Sequence, residues 1–216
     1  MKSAIDYTLY LVLDPDLCGD RNPLEITAQA LVGGVSTVQL RAPNRKKREM
    51  FELAMALKPV LAEWRVPLII NDEIDVALAC NAEGAHIGQS DLPPEEARRL
   101  LGEDAILGLS VSFRHEMQAA IALPTGMIDY VGIGPAFPTG SKLDANPVTG
   151  VEGLVALTAL SPYPVVAIGG IDVAGAAKLA PTGIKGIAVI SAICSSTDPT
   201  KASQNLRHAF LTGKMP

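Results

Sequence analysis

Short apolar runs alternate along this chain with longer stretches of helical period, and the alternation recurs about eight times. The runs of strand length fall at residues 7–13, 37–40, 68–70, 85–88, 106–110, 130–133, 165–168 and 186–190. They are continuous in Val, Ile and Leu rather than alternating, as expected of parallel strands covered on both faces. Amphipathic segments lie between them at 23–31, 46–63, 75–80, 94–101, 115–123, 151–160, 173–179 and 199–211. Start signals are explicit, with Asp91 ahead of Pro93-Pro94-Glu95-Glu96 and Asp198 ahead of Pro199. Stops are explicit too, at Gly33-Gly34 and Gly102.

Eight such units in this length predict an α/β fold, a single-domain (β/α)8 TIM barrel spanning 1–216. The competing architecture, an open doubly wound sheet, needs a glycine-rich nucleotide loop after its first strand. That position holds Asp14-Pro15-Asp16-Leu17-Cys18-Gly19-Asp20, which is no such loop. With 48% hydrophobic residues in 216, one large core is within reach, and no linker or composition break divides the chain.

Charge narrows the partners. A net charge of −5 disfavours a long contact with nucleic acid or an anionic membrane. No apolar run approaches the roughly 20 residues a membrane helix needs. The apolar start is broken by Asp6 and lacks a cleavage pattern, so it reads as a first strand rather than a signal peptide. Cys18, Cys80 and Cys194 are scattered and odd in number, which reads as reduced thiols in a cytoplasmic protein.

In a barrel the C-terminal strand ends converge on one mouth. Along this chain they carry Gln39 and Arg41, Asn71 and Asp72, Gln89 and Asp91, Ser110, then Thr139, Ser141 and Lys142, then Gly169-Gly170, and finally Ser191. Two hydroxyls and a lysine in the glycine-containing stretch 129–142 suit a phosphate. The loops after strands seven and eight form the usual barrel phosphate site. Asp72, Asp91 and the Asn71 amide form an oxygen donor set suited to Mg²⁺ and a diphosphate, whereas two close carboxylates without a cation would repel. The plainer alternatives are helix caps for Asp72, Asp91, Ser110 and Ser191, a solvated surface charge for Arg41, and backbone geometry alone for the glycines. The basic run Arg45-Lys46-Lys47-Arg48 reads as a solvated helix start, and His86 as a packed core residue.

The ordered set Gln39-Leu40-Arg41, Asn71-Asp72, His86-Ile87-Gly88-Gln89-Ser90-Asp91, Gly108-Leu109-Ser110, Gly132-Ile133-Gly134-Pro135, Pro138-Thr139-Gly140-Ser141-Lys142, Ile168-Gly169-Gly170-Ile171 and Ile190-Ser191-Ala192-Ile193 resembles the thiamine phosphate synthase family, also called thiamine-phosphate pyrophosphorylase. The resemblance implies a transferase that joins hydroxymethylpyrimidine diphosphate to thiazole phosphate and releases diphosphate. It implies Mg²⁺ on Asp72 and Asp91. It places Gln39, Arg41, Asn71, Ser110 and Lys142 on the pyrimidine diphosphate, and Thr139, Ser141, Gly170, Ile190 and Ser191 on the thiazole phosphate. Arg41, Ser110 and Lys142 are the implied catalytic set.

Three departures from the family pattern stand out. Pro43 occupies the place of a lysine, Ser141 that of a threonine, and Ser112 that of a frequent histidine whose absence argues against a thiazole tautomerase. Pro43 motivates the alternative of a weakly catalytic phosphate-binding or regulatory homologue. A Schiff-base aldolase would need a lysine within a strand, and a metal epimerase more histidines than His86 offers. Small phosphorylated molecules are the expected partners. The oligomeric state stays open, a homo-oligomer being compatible with the sequence.

Overall fold

The computed structural model describes residues 5–140 and 147–216. Eight strands, β1 Leu9–Leu13, β2 Thr37–Leu40, β3 Leu68–Asn71, β4 Gly84–Ile87, β5 Ile106–Val111, β6 Tyr130–Ile133, β7 Val165–Ile168 and β8 Gly186–Val189, close into one barrel. Every neighbouring pair is parallel, and β8 pairs back onto β1 through Leu9 and Ile187. The helices are α1 Pro23–Val32, α2 Lys47–Ala62, α3 Ile74–Ala79, α4 Pro94–Leu101, α5 Arg114–Ala122, α6 Gly150–Leu160, α7 Val173–Leu179, α8 Ser191–Cys194 and α9 Pro199–Thr212. Their order matches the expected alternation, with ends displaced by a residue or two. The helix α8 and two short 3₁₀ turns, Pro15–Leu17 and Ala180–Thr182, are additions.

One start signal fails and another holds. Asp198 caps α9, its carboxylate accepting the Lys201 N–H at 2.9 Å. Asp91 does not cap α4. That helix begins after Pro93 without a side-chain cap, and Asp91 Oδ2 instead accepts the Gly88 N–H at 2.6 Å. The nearer donor is at the end of its own strand.

The two-residue strand period sorts the side chains into layers. Leu9, Leu11 and Leu13 of β1 join the large apolar layer between strands and helices, together with Val38, Leu40, Ile70 and Leu107. Each such fully buried side chain contributes about 1.5–3 kcal/mol. Tyr10, Val12, Ile69, Tyr130 and Val166 point the other way and fill the barrel. The three cysteines are free and buried.

The barrel interior also holds a file of polar groups. Gln39 Nε2 donates to Tyr10 OH at 3.0 Å, and the Tyr10 and Tyr130 hydroxyls lie 2.8 Å apart. Tyr130 OH lies 2.9 Å from His86 Nδ1, and His86 Nε2 lies 2.9 Å from Ser110 Oγ. Gly108 makes the meeting of His86 and Tyr130 possible. A Cβ there would stand 2.4 Å from His86 Nδ1 and 2.2 Å from Tyr130 Cζ. Burial pushes both tyrosine hydroxyls well above their usual range, so they stay neutral.

Candidate active site

The candidates of the mouth lie near the C-terminal ends of the strands or in the loops that follow them. Arg41 follows β2, and its N–H extends the ladder to Leu13 O at 2.9 Å. Its Nη1 lies 2.8 Å from Asp14 Oδ2, with the two side chains 16% and 5% exposed. Arg41 is therefore not a solvated surface charge. Its partner was not singled out from the sequence, although an Asp at the first residue past the first strand was the available signal. Burial pushes the Asp14 carboxyl above its usual value, with the Asp16 N–H and Arg41 pulling it down.

The adjacent basic run does behave as a surface. Arg45 pairs with Asp16 at 3.0 Å, and Lys47 with Glu73 and Asp75 at 2.6 and 2.8 Å. Arg45 thus points at the β1 turn rather than standing in for the lysine that Pro43 replaces. Such exposed pairs are screened by water and salt and add little to stability.

Asn71 is the last residue of β3, and Asp72 turns the chain with φ +61° while its N–H donates to His86 O at 2.8 Å. An Asp tolerates that left-handed conformation better than most residues. α3 starts later, after Glu73 and without a side-chain cap, so neither Asp72 nor Asp91 serves as a helix cap. The two carboxylates end adjacent strands on the same rim. Among the described residues no group of three or more His, Cys, Asp or Glu side chains forms a metal cage. A divalent cation on Asp72 and Asp91 would therefore draw its other ligands from water, the Asn71 amide and phosphate oxygens, which is how Mg²⁺ is commonly held.

Ser110 lies inside β5, not at a helix start, and is anchored on both sides. Its Oγ meets His86, and its carbonyl accepts Gln89 Nε2 at 2.6 Å. His86 is a packed core residue, as expected, with the added duty of holding Ser110. Only one direction of donation along the interior file gives each of these hydrogens an acceptor, from Gln39 through Tyr10, Tyr130 and His86 to Ser110. That direction places the imidazole proton on Nε2 and leaves the Ser110 hydrogen available to a ligand.

The loops after β6, β7 and β8 enclose a cavity of about 320 Å³ lined by Thr139, Gly170, Ile190 and Ser191, among others. The first loop is stitched along the second, with Ala136 N–H on Ile168 O at 2.8 Å and Phe137 N–H on Gly169 O at 3.0 Å. Gly170 has φ +64°, and a Cβ there would come within 2.3 Å of Pro138 O. Only glycine lets the loops approach so closely. Ser191 is the first residue of α8 rather than its cap, which is Ile190. Ser112 ties the rim together, its hydroxyl donating to Gly134 O at 3.0 Å and its N–H to Glu116 at 2.6 Å. Ser141 and Lys142 lie outside the described residues.

Comparison with known proteins agrees along nearly the whole chain. The family described as thiamine monophosphate synthase matches residues 9–193. A thiamine-phosphate synthase of Laribacter hongkongensis is 46% identical over 207 residues, covering 95% of this chain and 96% of that protein. One of Azorhizobium caulinodans is 44% identical over 214 residues, covering 99% and 100%. Among solved structures, a thiamine phosphate pyrophosphorylase of Pyrococcus furiosus superposes with a TM-score of 0.86 at 36% identity, covering 96% of this chain and 97% of that one. A 3-hexulose-6-phosphate synthase shares the barrel at a TM-score of 0.69, but its 17% identity speaks to fold alone. With its eight-stranded barrel, its polar mouth and a family match through residues 9–193, the chain belongs to the thiamine monophosphate synthase family and is an enzyme.

Proposed function

We propose that the chain joins hydroxymethylpyrimidine diphosphate to thiazole phosphate, giving thiamine phosphate and diphosphate in an Mg²⁺-dependent dissociative displacement in the cytoplasm. The observation that carries this reading is the 320 Å³ cavity at the ends of β6, β7 and β8, beside a rim bearing Arg41, Asp72, Asp91 and Ser110. One region suits a phosphate and the other a diphosphate, so two phosphorylated substrates can meet at one mouth.

The roles follow from the donors available. Gln39 spends an amide hydrogen on Tyr10, which fixes the side chain and would leave its carbonyl oxygen to accept from the pyrimidine diphosphate. Ser110, already accepting from His86, gives its hydroxyl hydrogen to the diphosphate, and Asn71 adds an amide. Arg41 stabilises the charge that gathers on the leaving oxygens, joined by Lys142. Asp72 and Asp91 would hold Mg²⁺, which when bound neutralises developing negative charge on the leaving diphosphate.

Thr139, Ser141 and the backbone from Gly170 and Ile190–Ser191 hold the thiazole phosphate, leaving the thiazole nitrogen to face the pyrimidine methylene carbon. That nitrogen has no proton to lose, so no general base is required, and the side chains contribute positioning and charge stabilisation. No helix among the described residues is long and apolar enough to cross a membrane.

The test is diphosphate release and thiamine phosphate formation by purified protein with Mg²⁺ and both substrates. Turnover that needs both substrates and the cation is expected. Absence of diphosphate release with thiazole phosphate binding intact would overturn the reading and favour the binding homologue suggested by Pro43.

A further inference from the structure

We propose that Asp14 is a positioning residue for this reaction, holding the Arg41 guanidinium in place at the mouth before the diphosphate arrives; this rests on the transferase reading above. The carboxylate is nearly sealed from water, and of the Arg41 nitrogens its Oδ2 bonds Nη1 alone, at 2.8 Å. The Nε and Nη2 edge of the fork makes no hydrogen bond to any described residue, and that is the edge left for a phosphate oxygen. An arginine already ordered loses less freedom on binding than one recruited from solution.

Asp14 is itself fixed by the turn it starts. Its Oδ1 accepts the Asp16 N–H at 3.1 Å, and its carbonyl accepts the Leu17 N–H at 3.1 Å and the Cys18 thiol at 3.4 Å. The same turn leans on α8. Ser195 Oγ donates to Leu17 O at 3.1 Å, and the Arg21 guanidinium donates to the Cys194 and Ser196 carbonyls. The turn's backbone therefore supports the thiazole phosphate cavity, whereas the Asp14 carboxylate divides its two oxygens, Oδ1 capping the turn and Oδ2 holding Arg41. Loss of the Oδ2 contact with Oδ1 retained, and collapse of the turn, consequently have different signatures.

The experiment is a double-mutant cycle of Asp14→Asn and Arg41→Met, read by titration with inorganic diphosphate and Mg²⁺ and by steady-state kinetics. Asp14→Asn should weaken inorganic diphosphate about tenfold and raise the KM for the pyrimidine diphosphate similarly, with the KM for thiazole phosphate changed less than about twofold. In the Arg41→Met background the Asp14 change should add nothing. Additive losses, an equal loss toward thiazole phosphate, or unchanged diphosphate affinity would overturn the assignment. Asp14→Ser, whose hydroxyl can still accept the Asp16 N–H, serves if the Asn variant does not fold. If the unmutated protein forms no thiamine phosphate, the transferase reading fails; if it does and the cycle is additive, only the role of Asp14 fails.

Discussion

The imidazole Nε2 of His86 stands 2.9 Å from the hydroxyl of Ser110, so a residue buried in β4 sets the orientation of one at the rim on β5. Replacing it by a group of similar bulk separates that influence from packing. His86→Leu leaves the Tyr130 hydroxyl without its imidazole partner and should cost ~1–3 kcal/mol in denaturant unfolding. It should also lower kcat about as far as Ser110→Ala does, with the double variant no worse than either. Strictly additive losses in kcat would mean that His86 supports only the core.

Gly108 is the space in which His86 and Tyr130 meet, and any side chain there must displace one of them. Gly108→Ala is expected to lose ~1–3 kcal/mol of stability through overpacking. Thermal melting checks the size of the loss, and an unchanged melting temperature would contradict the geometry.

At Gly170 the penalty falls on a substrate rather than on the core. A Cβ at φ +64° costs ~1–2 kcal/mol of backbone strain, and it would push on the Pro138 carbonyl that borders the cavity. Gly170→Ala should raise the KM for thiazole phosphate about tenfold or more and leave the pyrimidine diphosphate KM near its starting value. Kinetics with each substrate varied in turn decide the matter.

Asp91 and Lys142 test the leaving-group side. Asp91→Ala should abolish activity together with its Mg²⁺ dependence, and retained Mg²⁺-stimulated turnover would remove Asp91 from the cation site. Lys142→Ala should lower turnover by ~10²–10³-fold. A change confined to thiazole phosphate affinity would reassign that lysine to the other substrate.

The buried carboxyl of Asp14 gives a pH signature. Its folded value lies above the unfolded one, near 3.9, because burial outweighs the Asp16 N–H and Arg41. The folded state thus holds the proton more tightly than the unfolded state. This group's contribution to stability is full below the unfolded value, declines as pH rises through the folded value and stays low above it. Asp14→Asn removes that decline. The melting temperature of the variant relative to the unmutated protein should therefore rise with pH from about 4 upward and then level off. A difference that falls with pH would contradict the direction of the shift.

Much of this was legible in the sequence because parallel barrels repeat a loud signal. Runs such as 165–168 and 130–133 are apolar throughout, so strand positions and the residues just past them follow directly. What escaped was of two kinds. Ser191–Cys194 is too short for any helical period to register. Asp14 with Arg41, and the file from Gln39 to Ser110, are contacts between residues 24 to 120 positions apart, or in the first case 27, which neighbouring sequence cannot encode. Asp91 misled for a related reason, because its position before Pro93-Pro94 fits a cap while the Gly88 N–H lies closer in space.

The interior file also bears on how the barrel closes. Its five members sit on β2, β1, β6, β4 and β5, and each reaches its partner only if its strand is in step. A strand annealed one residue out of phase would swing its polar group into the greasy outer jacket and orphan the groups it should have met. Each orphaned group carries a penalty of about 1–3 kcal/mol, so mis-threaded barrels are disfavoured at several strands together. The side chains that dress the mouth for chemistry thereby also act as a registration key for assembly.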